Sequence, residues 1–399
     1  MLKGKTVILG VTGGIAAYKI PNLASMLVKQ GCDVHVLMTE NGAKFITQDT
    51  FEALTKNKCI IDTFDRNHPM EIKHISLSQK ADYMLIAPAT ANVIGKLANG
   101  IADDMLTTTA LACKCPIAVA PAMNVNMYEN RIVQDNIEKL RDYGFTIIEP
   151  VSGYLACQTT GMGKMAEPSV LYDYIEAKIA REKDLKGLKI LVTAGATRQA
   201  IDPVRYITNN STGKMGYAIA KSAMLRGADV TLVTGKTDLP DVPFVTMKKI
   251  ISAQDMFDEV TSISHKQDII IKAAAVADYT PKAVSDQKIK KSDGDMSISL
   301  ERTRDILAYL GENKRYNQFI CGFSMETENL IENSRKKLIN KNVDMIAANS
   351  VKEEGAGFGT DTNILTLITA DSETALPKMS KSECADRLLD EILIKKNSR

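Results

Sequence analysis

The sequence predicts two α/β domains in tandem, each built on a mainly parallel sheet. Three observations carry that prediction. Thr6–Lys19 (TVILGVTGGIAAYK) is an apolar run, a Thr/Gly-rich turn and a helix-like pattern, and Gly187–Arg198 (GLKILVTAGATR) opens the second half the same way. The echo continues downstream, where Leu27–Thr39 (LVKQGCDVHVLMT) is answered by Met224–Gly235 (MLRGADVTLVTG); in each a helix ends in glycine, Gly31 or Gly227, and a second buried strand follows. Finally, continuous apolar runs alternate with helical patterns in both halves, as expected of parallel strands covered on both faces.

The bulk properties agree. A length of 399 residues suggests roughly two to three domains, and 45% hydrophobic with 25% charged residues is ordinary for globular protein. Fifty Lys+Arg against 48 Asp+Glu leave a net charge of +2, so there is no electrostatic case for nucleic acid or a membrane surface as partner. No apolar run approaches the ~20 residues of a membrane span. The start, MLKGKTVILGV, passes directly into a strand without a signal-peptide cleavage region. Seven cysteines without a disulfide framework fit a reducing compartment. The expectation is a soluble, cytoplasmic chain of two domains.

In the first half, strands are expected at Val7–Val11, Val34–Met38, Tyr83–Pro88, Ile117–Pro121 and Thr146–Ile148, with helices over Ile20–Gln30 and over Ile132–Tyr143 before Gly144. Ligands on such sheets sit beyond the carboxyl ends of the strands, so the loops there are the candidates. Thr12–Ala17 (TGGIAA) suits a phosphate at a helix N-terminus, although tight packing explains two glycines equally well, and it lacks the GxGxxG of a dinucleotide site. Thr90 and Asn92 in Pro88–Asn92 offer a hydroxyl and an amide, and Asp103–Thr109 does the same or simply caps a helix. Of the four histidines, His35, His68, His74 and His265, His74 stands in KHISLS just ahead of a strand. Cys113 and Cys115 read as buried thiols rather than half of a metal site. Pro121–Tyr128 (PAMNVNMY) presents Asn124 among methionines, and Ser152–Pro168 is a glycine-punctuated, mobile flap carrying Cys157.

Together GGIAAYK, KHISLS, APATAN, PAMNVNMY and GYLACQTTGMGKM resemble the flavin-dependent cysteine decarboxylases over about 180 residues. That resemblance implies bound FMN contacted by Gly13, Gly14, Ile15, Ala16, Thr39, Thr90 and Asn92. It also implies His74 as the active-site histidine, Asn124 as the group holding the substrate carboxylate, and Cys157 as proton donor. The chain departs from the family pattern at Tyr128, where Trp is usual, at Gln158–Thr159 and at Lys164, where Arg is common. The implied chemistry is coherent: oxidising a cysteine thiol to a thioaldehyde places the carboxylate β to C=S, so carbon dioxide can leave, and the enethiolate is then protonated and reduced.

Ala177–Lys186 (AKIAREKDLK) reads as a charged linker, giving domains of 1–181 and 182–399. Beyond it, strands are expected at Lys189–Thr193, Val230–Thr234, Ile269–Ala273 and Met345–Ala348. Ala194–Thr197 is a second anion-grade turn, and Ile201–Gly216 is a long polar insertion of the kind that carries function. Asp278 at a strand's carboxyl end suits a ribose, a base amine or Mg²⁺. Lys288–Lys291 (KIKK) concentrates three cations and reads as a solvated charge run, and Lys337 with Lys341, on one helix face, would clamp a phosphate or simply be exposed.

TAGATRQAIDPVRYITNNSTGKMG, AAAVADY, KIKK and GFSMETEN resemble the phosphopantothenate–cysteine ligases over about 200 residues. The resemblance implies an acyl-cytidylate intermediate shielded by Asn209, and Lys288 assisting attack by the cysteine amine. It places CTP on Asp278, Lys288, Thr303, Arg304, Asp305, Ile306, Phe323, Lys337 and Lys341, with Mg²⁺ on unassigned ligands. The order of the halves resembles the bacterial bifunctional family of coenzyme A synthesis, which implies two tandem Rossmann-like domains acting on 4′-phosphopantothenate, cysteine and 4′-phosphopantothenoylcysteine. It also implies a homo-oligomer, a trimer-based dodecamer through the first domain and a dimer through the second. Two alternatives stay open here: a tandem NAD(P) oxidoreductase, which the missing GxGxxG disfavours, and a regulatory flavoprotein, which the joint presence of His74, Asn124 and Cys157 disfavours.

Overall fold

The computed structural model describes residues 2–64, 73–154, 160–290, 296–326, 328–350, 357 and 359–398. The chain divides into two compact units, Met1–Arg181 and Glu182–Arg399.

The first unit runs β1 (Thr6–Val11), α1 (Ile20–Lys29), β2 (Asp33–Met38), α2 (Glu40–Ala43), α3 (Gln48–Thr55), α4 (Lys73–Lys80), β3 (Tyr83–Ala89), α5 (Ala91–Ala98), α6 (Met105–Ala112), β4 (Ile117–Pro121), α7 (Val125–Tyr128), α8 (Arg131–Asp142), β5 (Thr146–Ile147), β6 (Val151–Tyr154), β7 (Thr160–Lys164) and α9 (Pro168–Ile179). Five parallel strands form the sheet in the order β2-β1-β3-β4-β5. Every residue of β1 is buried, as a strand covered on both faces requires. Burying Ile8 and Leu9 contributes roughly 1.5–3 kcal/mol each. A capping box between Asp104 and Thr107 starts α6 where sequence alone left a cap or a site open. The chain leaves β1 toward β2 on one side and returns to β3 on the other, so the strand order reverses between β1 and β3 and opens a crevice there. Within the expected flap β6 and β7 pair antiparallel, with Ser152 opposite Met162 and Gly153 opposite Gly161. Cys157 lies outside the described residues.

The second unit runs β8 (Lys189–Ala194), β9 (Arg198–Ala200), β10 (Tyr206–Thr208), α10 (Lys214–Leu225), β11 (Asp229–Thr234), β12 (Thr246–Lys249), α11 (Ala253–Ser264), β13 (Ile269–Lys272), β14 (Tyr279–Pro281), β15 (Leu300–Arg302), α12 (Ile306–Glu312), β16 (Phe319–Glu326), α13 (Leu330–Asn340), β17 (Met345–Ser350), β18 (Thr362–Asn363), β19 (Thr366–Ile368), β20 (Glu373–Ala375), β21 (Met379–Ser380) and α14 (Lys381–Asn397). Its sheet has eight strands, β12-β11-β8-β13-β16-β17-β19-β20. The first six are parallel, and β19 and β20 extend the edge antiparallel. The strand order reverses between β8 and β13, the same arrangement as in the first unit. The stretch expected to be a linker is instead taken up by structure. Ala177–Ile179 completes α9, while Leu185 is fully buried and donates its N–H to Arg226 O at 3.0 Å, and the Asp184 carboxylate pairs with the Arg226 guanidinium.

Candidate functional sites

At the crevice of the first unit the loops after β1 and β3 are joined by one hydroxyl. Thr12 Oγ1 donates to Pro88 O at 2.6 Å and accepts from Thr90 N at 3.1 Å. The Ala87–Pro88 peptide bond is cis. Thr90 Oγ1 in turn accepts from Val93 N to cap α5, and Thr39 Oγ1 accepts from Gly42 N to cap α2. Each capping oxygen keeps its own O–H to donate.

A cavity of about 710 Å³ opens here, lined by the Gly13–Ala16 turn, Thr90, Asn124 and the apolar Phe45, Met123, Met127 and Met165. That is within the roughly 300–1,000 Å³ of small-molecule sites. Thr39 and Asn92 line an adjoining cavity of about 670 Å³ that shares Gly13, Thr90 and Met127 with the first. Lys19 and Lys164 also line the larger cavity and both pair with Glu167, at 2.7 and 3.5 Å, leaving two cations against one carboxylate. The Lys19 hydrogen bond holds the Glu167 carboxyl below its ordinary value, which keeps it ionised as the partner of both lysines. Asn124 Oδ1 accepts from Asn126 N at 2.9 Å, which starts α7 and fixes the side chain at the wall.

His74, on the first turn of α4, lines neither of these two cavities. Tyr128, the departure from the usual Trp, lines neither cavity: it packs against the core cluster and its hydroxyl donates to Glu149 at 2.7 Å. Burial, with the neighbouring Glu149 carboxylate, raises that phenol to about 12. The aromatic wall comes from Tyr18, within the GGIAAYK motif, and from Phe45, which no motif in the sequence singled out. Cys113 and Cys115 are half-buried thiols, with Cys113 Sγ 3.9 Å from Met84 Sδ.

In the second unit the loops after β8 and β13 are stitched by two threonines. Ala274 N donates to Thr193 Oγ1 at 3.1 Å, and Ala277 N donates to Thr197 Oγ1 at 3.0 Å. Asn209, exposed beyond β10, donates Nδ2 to Ala275 O at 3.2 Å and so reaches the loop that carries Asp278. Asp278 is itself exposed. Thr303 donates its hydroxyl to Ala277 O at 2.7 Å, so that side chain serves the loop rather than a ligand. Ile306 is buried in α12 and can offer a ligand only its backbone. Asp305 caps α12 through Ala308 N and pairs with Lys341 at 2.8 Å, while Arg304 stacks its guanidinium 5.1 Å from the Phe257 ring centre. Lys337 donates to Phe323 O at 3.0 Å; Lys341 is the C-cap of α13, just past the helix rather than within it.

Lys288 is exposed, yet its segment is anchored. Ile289 N donates to Asp202 Oδ2 at 3.2 Å, and Arg205 spans Asp202 Oδ2 and Ile289 O. The hydrogen bond from Arg205 holds the Asp202 carboxyl well below the carboxylate range. Lys291 lies outside the described residues. Among the described residues no group of three or more His, Cys, Asp or Glu gathers to hold a metal.

Residues 1–180 match the Flavoprotein family, and residues 185–395 match the DNA/pantothenate metabolism flavoprotein C-terminal domain. Across 397 residues the chain is 49% identical to the coenzyme A biosynthesis bifunctional protein CoaBC of Bacillus subtilis (strain 168), covering 98% of this chain and 97% of that protein. Among solved structures it is similar to the C-terminal domain of a coenzyme A biosynthesis bifunctional protein CoaBC, at 42% identity and a TM-score of 0.47, covering 55% of this chain and 100% of the other. It is also similar to a mutant PPC decarboxylase complexed with pantothenoylaminoethenethiol, at 30% identity and a TM-score of 0.40, covering 43% of this chain and 96% of the other.

Proposed function

The chain belongs to the family of bifunctional coenzyme A biosynthesis proteins, and from that premise we propose that its two units catalyse successive steps on one metabolite. Unit two joins 4′-phosphopantothenate to cysteine, spending CTP with Mg²⁺ and passing through an acyl-cytidylate. Unit one, with FMN bound, decarboxylates the resulting 4′-phosphopantothenoylcysteine to 4′-phosphopantetheine. The activities divide at the boundary between Arg181 and Glu182, and the cytoplasm is the place of action.

The observation that carries the reading is the convergence of separate motifs on one cavity: the Gly13–Ala16 turn, Thr90, Asn124 and Gly163 all line it. Its make-up fits a flavin. Apolar Phe45, Met123, Met127 and Met165 suit a flat ring system, and the glycine turn with the Thr39 and Thr90 hydroxyls suits a phosphate. When bound, the flavin supplies the two-electron exchange that makes the substrate carboxylate able to leave. The protein's own groups do the rest. Asn124 orients the substrate carboxylate, Lys19 and Lys164 attract its anionic groups, the methionines keep water away, and Cys157 delivers the proton. His74 is taken to act in the cavity of a second copy of the chain. Its absence from its own cavity supports this, as does the apolar rim of Ile15, Tyr18, Phe45 and Met127, each about half exposed.

In unit two, Asn209 shields the acyl-cytidylate and Lys288 assists the incoming amine. Lys337, Lys341, Asp278, Phe323 and the Thr303–Ile306 turn hold the nucleotide, the turn largely through its backbone. Developing charge on departing pyrophosphate is stabilised by the lysines.

The test is a coupled assay on flavin-loaded protein with 4′-phosphopantothenate, cysteine, Mg²⁺ and either CTP or ATP. Pyrophosphate and carbon dioxide are both expected with CTP. Pyrophosphate alone would reduce unit one to a flavin-binding module, and neither product would refute the assignment.

A further inference from the structure

Between α6 and β4 the chain carries two cysteines, Cys113 and Cys115, that neither reaction above uses. Exposure alternates through them: Ala112, Lys114 and Pro116 are exposed, whereas Cys113 and Cys115 turn inward. That period of two puts both thiols on one face of the segment. The packing agrees, because both side chains rest against the same core cluster of the first unit. Cys113 is extended where it ends α6, at φ −66° and ψ 135°. Two residues of extended chain span about 6.6–6.8 Å between α-carbons, at the upper end of the roughly 4.4–6.8 Å that a disulfide bridges. Cys113 Sγ packs 3.9 Å from the buried Met84 Sδ. Cys115 instead lines a cavity of about 490 Å³ together with Lys114, Asp82, Ser78 and Gln79. The cavity opens where β3 and β4 begin, the end of the sheet away from the crevice, and shares no residue with the two cavities there. The other cysteines among the described residues, Cys32, Cys59, Cys321 and Cys384, are buried.

We propose that Cys113 and Cys115 form a dithiol site that exchanges with a low-molecular-weight disulfide at this cavity and closes a Cys113–Cys115 bridge. The Cys115 thiolate attacks one sulfur of the small disulfide, expelling one thiol and leaving a mixed disulfide on Cys115. Cys113 then gives up its proton and displaces the second thiol. The protein loses two electrons and two protons, and the small disulfide becomes two thiols. A cation, a carboxylate, an amide and a hydroxyl line the cavity, which suits the amide and carboxylate groups that small biological thiols carry. The hydrogen bond from Cys113 holds the Cys115 thiol below its ordinary value, which makes Cys115 the attacking sulfur. Burial, by contrast, pushes Cys32 up to about 11 and Cys59 up to about 12. A bridge across so short a segment is strained and is therefore readily reduced again. The site uses no group of the flavin or nucleotide regions and does not rest on their assignment.

The test places the full-length chain in buffers poised by oxidised and reduced glutathione, quenches with acid, alkylates the free thiols and reads the peptides by mass spectrometry. Trypsin cuts after Lys114, so the two cysteines fall on separate peptides, Leu97–Lys114 and Cys115–Arg131, which stay joined only through the bridge. The joined pair should grow as the oxidised fraction rises and disappear on addition of excess thiol. Cys113→Ala should stop at the mixed disulfide on Cys115, and Cys115→Ala should slow modification of Cys113 at least about tenfold. A parent chain whose two thiols stay open to alkylation at every poise overturns the proposal. So does one that accumulates two mixed disulfides, or that bridges either cysteine to another position. Modification of Cys113 at the parent rate in the Cys115→Ala chain overturns the assigned order of attack.

Discussion

Gly163→Ala is the most direct test of how the hairpin completes the first site. Gly163 lines the cavity at φ +142°, and its carbonyl accepts the Met123 N–H at 3.1 Å, tying β7 to the residue before Asn124. A β-carbon there would stand 2.3 Å from Met123 O, where real β-carbons rarely come inside 3.0 Å. Either β7 or the Met123–Asn124 peptide must move by several tenths of an ångström. The left-handed strain costs about 1–3 kcal/mol, and losing the Met123 hydrogen bond adds about 0.5–1.5 kcal/mol. A shift of about 2–4 kcal/mol in docking of the hairpin lowers the competent population about thirtyfold or more when docking is marginal. Carbon dioxide release should fall accordingly while pyrophosphate release from the same preparation is unchanged. Gly100→Ala is the matched control: φ is +69° but no atom lies within 4 Å of the added carbon, so only about 1 kcal/mol of backbone strain is at stake. Full decarboxylation by Gly163→Ala, or equal losses in the two variants, would refute the argument that this close approach positions Asn124.

The remaining expectations concern single groups. His74→Asn should abolish carbon dioxide release and spare ligation; mixed oligomers of His74→Asn and Asn124→Asp chains should regain activity, and no recovery would place both residues in one chain's site. Asn209→Asp sets an anion against the Ala275 carbonyl in place of a donor; ligation should fall about ten- to a hundredfold with acyl-cytidylate accumulating, seen by quench-flow, and normal kinetics would remove Asn209 from the step. Asp33 is disfavoured by burial, but hydrogen bonds from Lys80 and Asn57 outweigh that and hold it at about 2, below its ordinary 3.8. A depressed carboxyl stabilises the fold above about pH 4, and that contribution is lost as pH falls toward 2. Asp33→Asn should therefore flatten acid unfolding in that window, followed by circular dichroism; an unchanged acid profile would contradict the pairing.

The sequence revealed most where burial was continuous. Runs such as Val7–Val11 and Ile269–Ile271 can only be central parallel strands, and the loops after them had to carry the site. Short, half-exposed pairs were not legible: β9 with β10 and β14 with β15 are only three residues long each and mix polar with apolar side chains, so no period marks them as strands. That Tyr128 lies away from the cavity was not legible either, because an aromatic in a motif says nothing about which side of its helix faces the cavity. Phe45 was missed for the opposite reason, since it sits in a segment whose pattern reports packing alone. Asp202 was visible only as part of a long insertion, yet it anchors the segment that holds Lys288.

The threonine rivets have a thermodynamic consequence. Thr12 in one unit, and Thr193 and Thr197 in the other, fasten together loops that belong to strands far apart in sequence. Ordering of those loops is therefore settled when the chain folds rather than when a ligand arrives. Association at both platforms should carry a small conformational-entropy penalty and leave the loop amides protected from hydrogen exchange even in the empty protein.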